Sequence, residues 1–126
     1  MKKRRIFVFG SNRQGRHGKG AALEARTKWG ARYGQADGLQ GDSYAIITKE
    51  LRKDEDAVTL QEVELNVSRF LNFARRHPEL QFLITPLGTG LAGFTREQIF
   101  PLFNDAPENC VKLWEEGEAT YGGVRY

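Results

Sequence analysis

The sequence is short of the residues that many small folds and catalytic sites depend on. Cys110 is its only cysteine, which excludes an internal disulfide and agrees with a cytoplasmic, reducing location. We expect this thiol to be a packed, unreactive side chain. With His17 and His77 as the only histidines, a classical Cys/His zinc site is excluded, and we expect neither a metal nor a cofactor. No apolar run approaches the roughly 18 residues of a membrane helix, so no membrane partner is expected.

Positive charge is concentrated in two stretches of the chain. Residues 2–5 are all Lys or Arg and supply four of the 19 basic residues, so the rest of the chain is slightly acidic. Residues 13–32 hold six more Lys or Arg against the single acidic residue Glu24. Gly15, Gly18 and Gly20 lie in the first part of this second stretch. Glycine and positive charge together favour a bound anion, whereas the first stretch is typical of a solvated strand start.

Hydrophobic patterns predict strands that alternate with helices. Short apolar runs predict strands at residues 6–9, 44–47, 81–85 and 111–114, the first of them ended by Gly10. Helices are predicted at residues 19–29, at 59–76 behind a capping box, and briefly after a second capping box at Thr95. Residues 30–41, rich in glycine, predict an irregular connection. The alternation indicates a single α/β domain at residues 1–114 with a mostly parallel central sheet, followed by a weakly ordered tail at 115–126.

Three loops that could hold a ligand follow predicted strands. They begin at Gly10, at Thr48 and at Leu87, and the carboxyl ends of parallel strands are where α/β sheets bind ligands. The first loop fits neither G-x-G-x-x-G nor a P-loop, because its glycines run G-x-x-G-x-G and Arg16-His17 follow Gly15. Two glycine-rich turns, each opening a helix, could still hold the two phosphates of a diphosphate.

The ordered motifs "GSN…GRHGKGAA", "YAIITK" and "LGTGLAGF" resemble those of macro domains, the ADP-ribose-binding modules. The resemblance covers residues 5–103 and looks closest to the branch of terminal ADP-ribose glycohydrolases and DNA ADP-ribosylation antitoxins. It also extends to small uncharacterised bacterial and phage macro-like proteins. It implies a compact three-layer fold and a cleft for ADP-ribose or a related nucleotide.

The resemblance also implies which residues contact that ligand. Asn12 would contact the distal ribose, and Lys49 matches the lysine that forms a covalent adduct in the glycohydrolase branch. Ser11 and His17 are further candidates. In a glycine loop near phosphate, His17 could donate a hydrogen bond or act as a general acid, although a loop histidine is more often simply solvated. The two sides of the diphosphate would be lined by Gly18, Lys19, Gly20 and Ala21, and by Gly88, Thr89, Gly90, Leu91, Ala92, Gly93 and Phe94.

The chain departs from that branch at two points. Ala92 stands where the branch has an acidic catalytic residue, so a lysine mechanism loses its acid/base partner unless Asp37 or Asp42 replaces it. The first strand also lacks the Asp that reads adenine in larger macro domains.

Several functions therefore stay open on the sequence. The chain could hydrolyse ADP-ribosyl groups on nucleic acid or protein, or be a non-catalytic module that senses or sequesters the nucleotide. A Rossmann-like nucleotide N-glycosidase would need a late Arg and Glu pair, which we do not find. A nucleic-acid module would use the basic start, but Phe70, Phe73 and Phe82 lie on positions expected to face the core.

Overall fold

A five-stranded sheet forms the centre of the computed structural model, which describes residues 2–115. The predicted tail lies outside the described residues apart from Glu115. The strands are β1 (Arg4–Asn12), β2 (Gly38–Gln40), β3 (Ser43–Lys49), β4 (Leu80–Ile84) and β5 (Cys110–Lys112). The helices are α1 (Gly20–Lys28), α2 (Leu60–Arg76) and α3 (Arg96–Ile99), with 3-10 turns at Phe100–Phe103 and Leu113–Glu115.

The sheet has the order β2-β3-β1-β4-β5 and is mostly parallel. β1 pairs in parallel with β3 and β4, β4 pairs in parallel with β5, and β2 alone runs antiparallel, against β3. The α/β class predicted from the sequence is confirmed. The edge strand β2 was not predicted, because three residues between Gly38 and Gly41 carry no hydrophobic pattern.

β1 continues two residues past Gly10, so the prediction that glycine ends this strand is wrong. Gly10 pairs with Ile46 and Ser11 with Ile47, which keeps the backbone extended through Asn12. A Cβ on Gly10 would lie 3.2 Å from Thr48 Oγ1 and 3.3 Å from the backbone nitrogen of Gly88. Glycine at this position gives room for neighbouring segments to approach and is not needed for a turn.

The two faces of the sheet are covered by different helices, which gives three layers. Because side chains alternate along a strand, Ile6 and Val8 face the larger core beneath α2, while Phe7 and Phe9 face α1. The α1 side is thin and alanine-rich, and the Phe7 ring stacks on Trp29 with centroids 5.2 Å apart. Small side chains allow the helix to lie close to the sheet.

Helix starts follow the predicted capping boxes. The Thr59 hydroxyl accepts a hydrogen bond from the Glu62 N–H at 3.1 Å, and the Thr95 hydroxyl accepts one from the Gln98 N–H at 3.2 Å. α3 is short because Pro101 follows, and the chain continues as a 3-10 turn. The last strand lies at Cys110–Lys112 rather than 111–114, since Leu113 already belongs to the next turn. None of the described helices is long and apolar enough to cross a bilayer.

Candidate functional site

A cavity of about 580 Å³ lies at the carboxyl ends of β1, β3 and β4. Its walls come from residues 10–12 of β1, Arg16, residues 18–22 at the start of α1, Tyr33, the exit of β3 at Thr48, Lys49 and Leu51, and residues 85–92 after β4. The chain leaves β1 to form α1 on one face of the sheet and leaves β3 to form α2 on the other. Such a switch point is where open α/β sheets bind ligands, and the volume falls within the roughly 300–1,000 Å³ of small-molecule sites.

Most of the residues singled out from the sequence meet in this cavity. Asn12, Ser11 and Lys49 line it, together with residues 18–21 and residues 88–92. Gly93 and Phe94 do not line it: Gly93 closes the turn by donating to the Gly90 carbonyl at 3.0 Å, and Phe94 packs on the larger core.

His17 is buried beside the cavity and does not line it, so neither sequence interpretation of this residue fits the structure. Its Nε2 lies 3.0 Å from the Gln35 carbonyl oxygen and 3.2 Å from Gln40 Oε1. Both partners are acceptors, so Nε2 carries the proton and donates. The ring also meets Phe9 edge-on with centroids 5.1 Å apart. His17 therefore fastens the first glycine turn to the connection between α1 and β2.

Asn12 uses its amide to close that same turn. Its Oδ1 accepts from the Arg16 N–H at 2.9 Å, and its Nδ2 donates to the Arg16 carbonyl at 2.8 Å. The side chain expected to contact a ribose is here a structural clamp at the cavity wall. It orients Arg16, a lining residue that the resemblance did not indicate.

The glycines of the two turns serve different purposes. Gly88 has φ +78°, and a Cβ there would lie 3.1 Å from the Ile99 side chain, so the late turn requires glycine. Gly18 and Gly90 have ordinary φ, and a Cβ on either would meet nothing within 4 Å. These two positions leave the backbone accessible from the cavity. Lys19, the N-cap residue that precedes α1, provides no side-chain cap, and the first turn of the helix has no acidic residue.

The charged side chains that line the cavity are all positive. Arg16, Lys19 and Lys49 line it, and within residues 2–115 none of these three side chains makes an ion pair or hydrogen bond. No carboxylate of the described residues lines the cavity. Cationic side chains beside uncapped helix N–H groups are a combination that attracts anions.

Arg13 belongs to the same basic stretch, but its side chain is paired outside the cavity. Its guanidinium donates to Glu62 at 2.7 Å and to the Asp56 carbonyl at 2.6 Å, and it lies 3.4 Å from Glu50. Together with Gln14 it ties the turn after β1 to the exit of β3 and the start of α2.

Glu50 follows Lys49 directly, yet it does not line the cavity and is not suited to act as an acid. Its side chain is 1% exposed; burial by itself would raise the pKa, but hydrogen bonds from Arg52, Gln14 and Arg13 outweigh it and hold the pKa at about 2. A carboxylate fixed in this way stays ionised at neutral pH and has no proton to give.

The two aspartates considered as substitutes for Ala92 also lie elsewhere, so that suggestion is wrong. Asp42 pairs with Arg4 at 2.6 Å at the amino end of β3, opposite the cavity, and Asp37 pairs with Arg69 at 3.3 Å. Burial raises the pKa of the half-buried Cys110 to about 12, which agrees with an unreactive thiol. Within the described residues no group of three or more His, Cys, Asp or Glu is placed to hold a metal ion.

Comparison with known proteins bears on the fold. Neither a protein-family model nor a curated protein matches the chain in sequence. Among solved structures, a macrodomain protein from Streptomyces coelicolor is similar, with 19% identity, a TM-score of 0.55 and coverage of 84% of this chain and 82% of that one. A protein of unknown function from Bacteroides thetaiotaomicron is similar with 17% identity, a TM-score of 0.58 and coverage of 82% and 80%. A second Bacteroides thetaiotaomicron protein shows 14% identity, a TM-score of 0.58 and coverage of 82% and 81%. The chain therefore shares its fold with a macrodomain protein.

Proposed function

We propose that the cavity binds ADP-ribose or a closely related nucleoside diphosphate. The observation that carries this proposal is the set of three unpaired cations, Arg16, Lys19 and Lys49, in a cavity without a carboxylate among the described residues. An unpaired cluster of like charges is unfavourable by itself, and an anion bound between the cations relieves their repulsion.

The distribution of donors favours two phosphates over one. Lys19 and the open Gly18 lie at the start of α1, while the open Gly90 lies in the turn after β4. Lys49 stands at the end of β3, the strand that neighbours β1 on the side away from β4. A diphosphate that spans the end of β1 can meet both turns, whereas one phosphate fills only part of 580 Å³.

The remaining surface of the cavity suits the rest of a nucleotide. Tyr33, Leu51 and Leu91 line it and are exposed, so apolar area is available beside the cationic part. The motif resemblance to ADP-ribose-binding modules indicates the same ligand class. Leu91 lines the cavity and is 70% exposed, so the cavity is open to solvent at this residue. The proposal therefore includes ADP-ribose that is attached to a nucleic acid or a protein.

Hydrolysis of ADP-ribosyl groups is a second candidate function, favoured by the position of Lys49 in the cavity. An amine nucleophile needs an acid/base partner. In the part of the chain that the structure describes, no carboxylate lines the cavity, and Glu50 is held ionised. We therefore propose binding as the main activity, with slow or absent turnover.

Calorimetric titration of the native protein with ADP-ribose, ADP, AMP and pyrophosphate tests this proposal. We expect ADP-ribose and ADP to bind, and AMP to bind more weakly because it lacks one phosphate. Absence of heat and of thermal stabilisation with all four compounds would overturn the proposal.

A further inference from the structure

We infer that the base of the bound nucleotide stacks on Tyr33, and that this site does not distinguish adenine from guanine. The inference rests on the proposed function and specifies how the part of the ligand beyond the diphosphate is recognised.

Tyr33 is presented to the cavity as a supported aromatic surface. It lines the cavity and is 58% exposed. The Arg26 guanidinium carbon lies 5.0 Å from the ring centroid, and Arg26 does not line the cavity. One part of the ring is thus covered by a cation from α1, while Tyr33 as a whole stays 58% exposed at the cavity.

The backbone around Tyr33 is fixed before any ligand arrives. The turn that carries it is closed by the Gln35 N–H, which donates to the Arg32 carbonyl at 3.0 Å. The Gly34 N–H donates to the Gly15 carbonyl at 2.8 Å, and a Cβ on Gly15 would lie only 2.5 Å from the Gly34 carbonyl carbon. Direct backbone contact therefore holds Tyr33 beside the glycine turn that also carries Arg16, one of the cavity's cations. A ring on a fixed turn loses little freedom when a base stacks on it.

The neutral polar side chains that could read the edge of a base already donate to the protein backbone. Each of the other neutral polar side chains that line the cavity donates a hydrogen bond to the protein backbone: Ser11, Asn12, Thr48, Thr85 and Thr89. No carboxylate of the described residues lines the cavity to accept from a base N–H group. Stacking tolerates any base because every base has a π-face, so recognition by Tyr33 does not separate adenine from guanine.

Calorimetry with ADP, GDP and pyrophosphate tests the inference in the native protein and in Tyr33→Ala, Tyr33→Phe and Leu65→Ala. Leu65 is 67% exposed on α2 and outside the cavity, so Leu65→Ala controls for loss of an exposed apolar side chain. We expect ADP and GDP to bind the native protein within about threefold of each other, since stacking reads neither base. Tyr33→Ala should weaken both by about tenfold and leave pyrophosphate unchanged, while Tyr33→Phe and Leu65→Ala retain native affinity.

The outcomes separate this inference from the proposed function. If ADP binds but Tyr33→Ala binds it as tightly as the native protein, the stacking site is wrong while the proposed function stands. A preference of more than about tenfold between ADP and GDP would show that hydrogen bonds read the base, and would overturn the inference alone. If the native protein binds neither ADP nor pyrophosphate, the proposed function fails and the inference fails with it.

Discussion

Single side chains decide the charge of the cavity, and Lys49 is the residue whose role differs most between the candidate functions. As a binding residue it supplies positive charge beside the ligand; as a nucleophile it would form an adduct. We expect Lys49→Met to weaken ADP binding by about ten- to a hundredfold, because a hydrogen bond to a charged group contributes about 1.5–3 kcal/mol. Calorimetry measures the loss, and Lys53→Met, an exposed lysine outside the cavity, is the matched control.

Chemical trapping of an adduct separates binding from catalysis. Treating the native protein with ADP-ribose and borohydride should leave its mass unchanged, because the described lining holds no carboxylate to assist Lys49. A stable adduct on Lys49, together with rapid release of ADP-ribose from modified DNA or protein, would contradict the binding role.

The position of a residue could be predicted where a local motif determines it. It could not be predicted where a partner distant in the sequence determines it. Lys49 and the turn glycines follow directly from strand ends, so the sequence locates them. The burial of His17 depends on Gln40, which lies 23 positions later, and no local pattern indicates that contact. Tyr33 was also missed, since a lone aromatic between two glycines has no periodicity; its only signal is its closeness to the basic stretch.

At the scale of elements, the buried Glu50 joins the turn after β1 to the exit of β3. Its pKa in the folded protein is about 2, below its ordinary value of 4.5. A carboxylate with a lowered pKa stabilises the fold fully above the unfolded value and loses that contribution as pH falls through the folded one. We therefore expect the stability difference between the native protein and Glu50→Gln to be largest above pH 4.5 and to narrow as the pH falls to 2.

Urea denaturation at a series of pH values measures this difference. Glu79→Gln is the control, because the Glu79 pKa is lowered by His77 but its side chain is 63% exposed and lies outside the network. Its effect on stability should be small throughout, as exposed ion pairs contribute little. Parallel stability curves for the native protein and Glu50→Gln from pH 7 to pH 2 would refute this role for the network.

Elements with complete local signals were predicted well. α2 has a capping box at Thr59 and apolar residues at helical spacing, and it is observed at Leu60–Arg76. β2 and the last three residues of β1 exist because β3 is available to pair with them. Such pairing depends on tertiary contacts, so these segments could not be read from their own residues.

At the scale of the whole molecule, the first basic stretch and the cations of the cavity lie at opposite ends of the sheet. Lys2 and Lys3 precede β1, whereas the cavity lies beyond its carboxyl end. We expect the double variant Lys2→Ala/Lys3→Ala to bind ADP-ribose with native affinity and to be retained less on DNA at low salt, because those charges contact phosphates without sequence preference. Calorimetry and a DNA-cellulose column measure the two properties. A large loss of ADP-ribose affinity would place the ligand at the other end of the sheet.

The central claim is that a nucleoside diphosphate occupies the space between the two glycine-rich turns. The open Gly90 allows that space to be filled without disturbing the fold, whereas Gly88, with its positive φ and the nearby Ile99, does not. Gly90→Phe should therefore keep native thermal stability, and Ala57→Phe adds the same bulk in an exposed loop outside the cavity.

Calorimetric titration of these two variants and the native protein with ADP-ribose is the most direct measurement. The proposal predicts one ligand per chain for the native protein and for Ala57→Phe, and no detectable binding for a folded Gly90→Phe. Native affinity in Gly90→Phe, or no binding by the native protein, would contradict it.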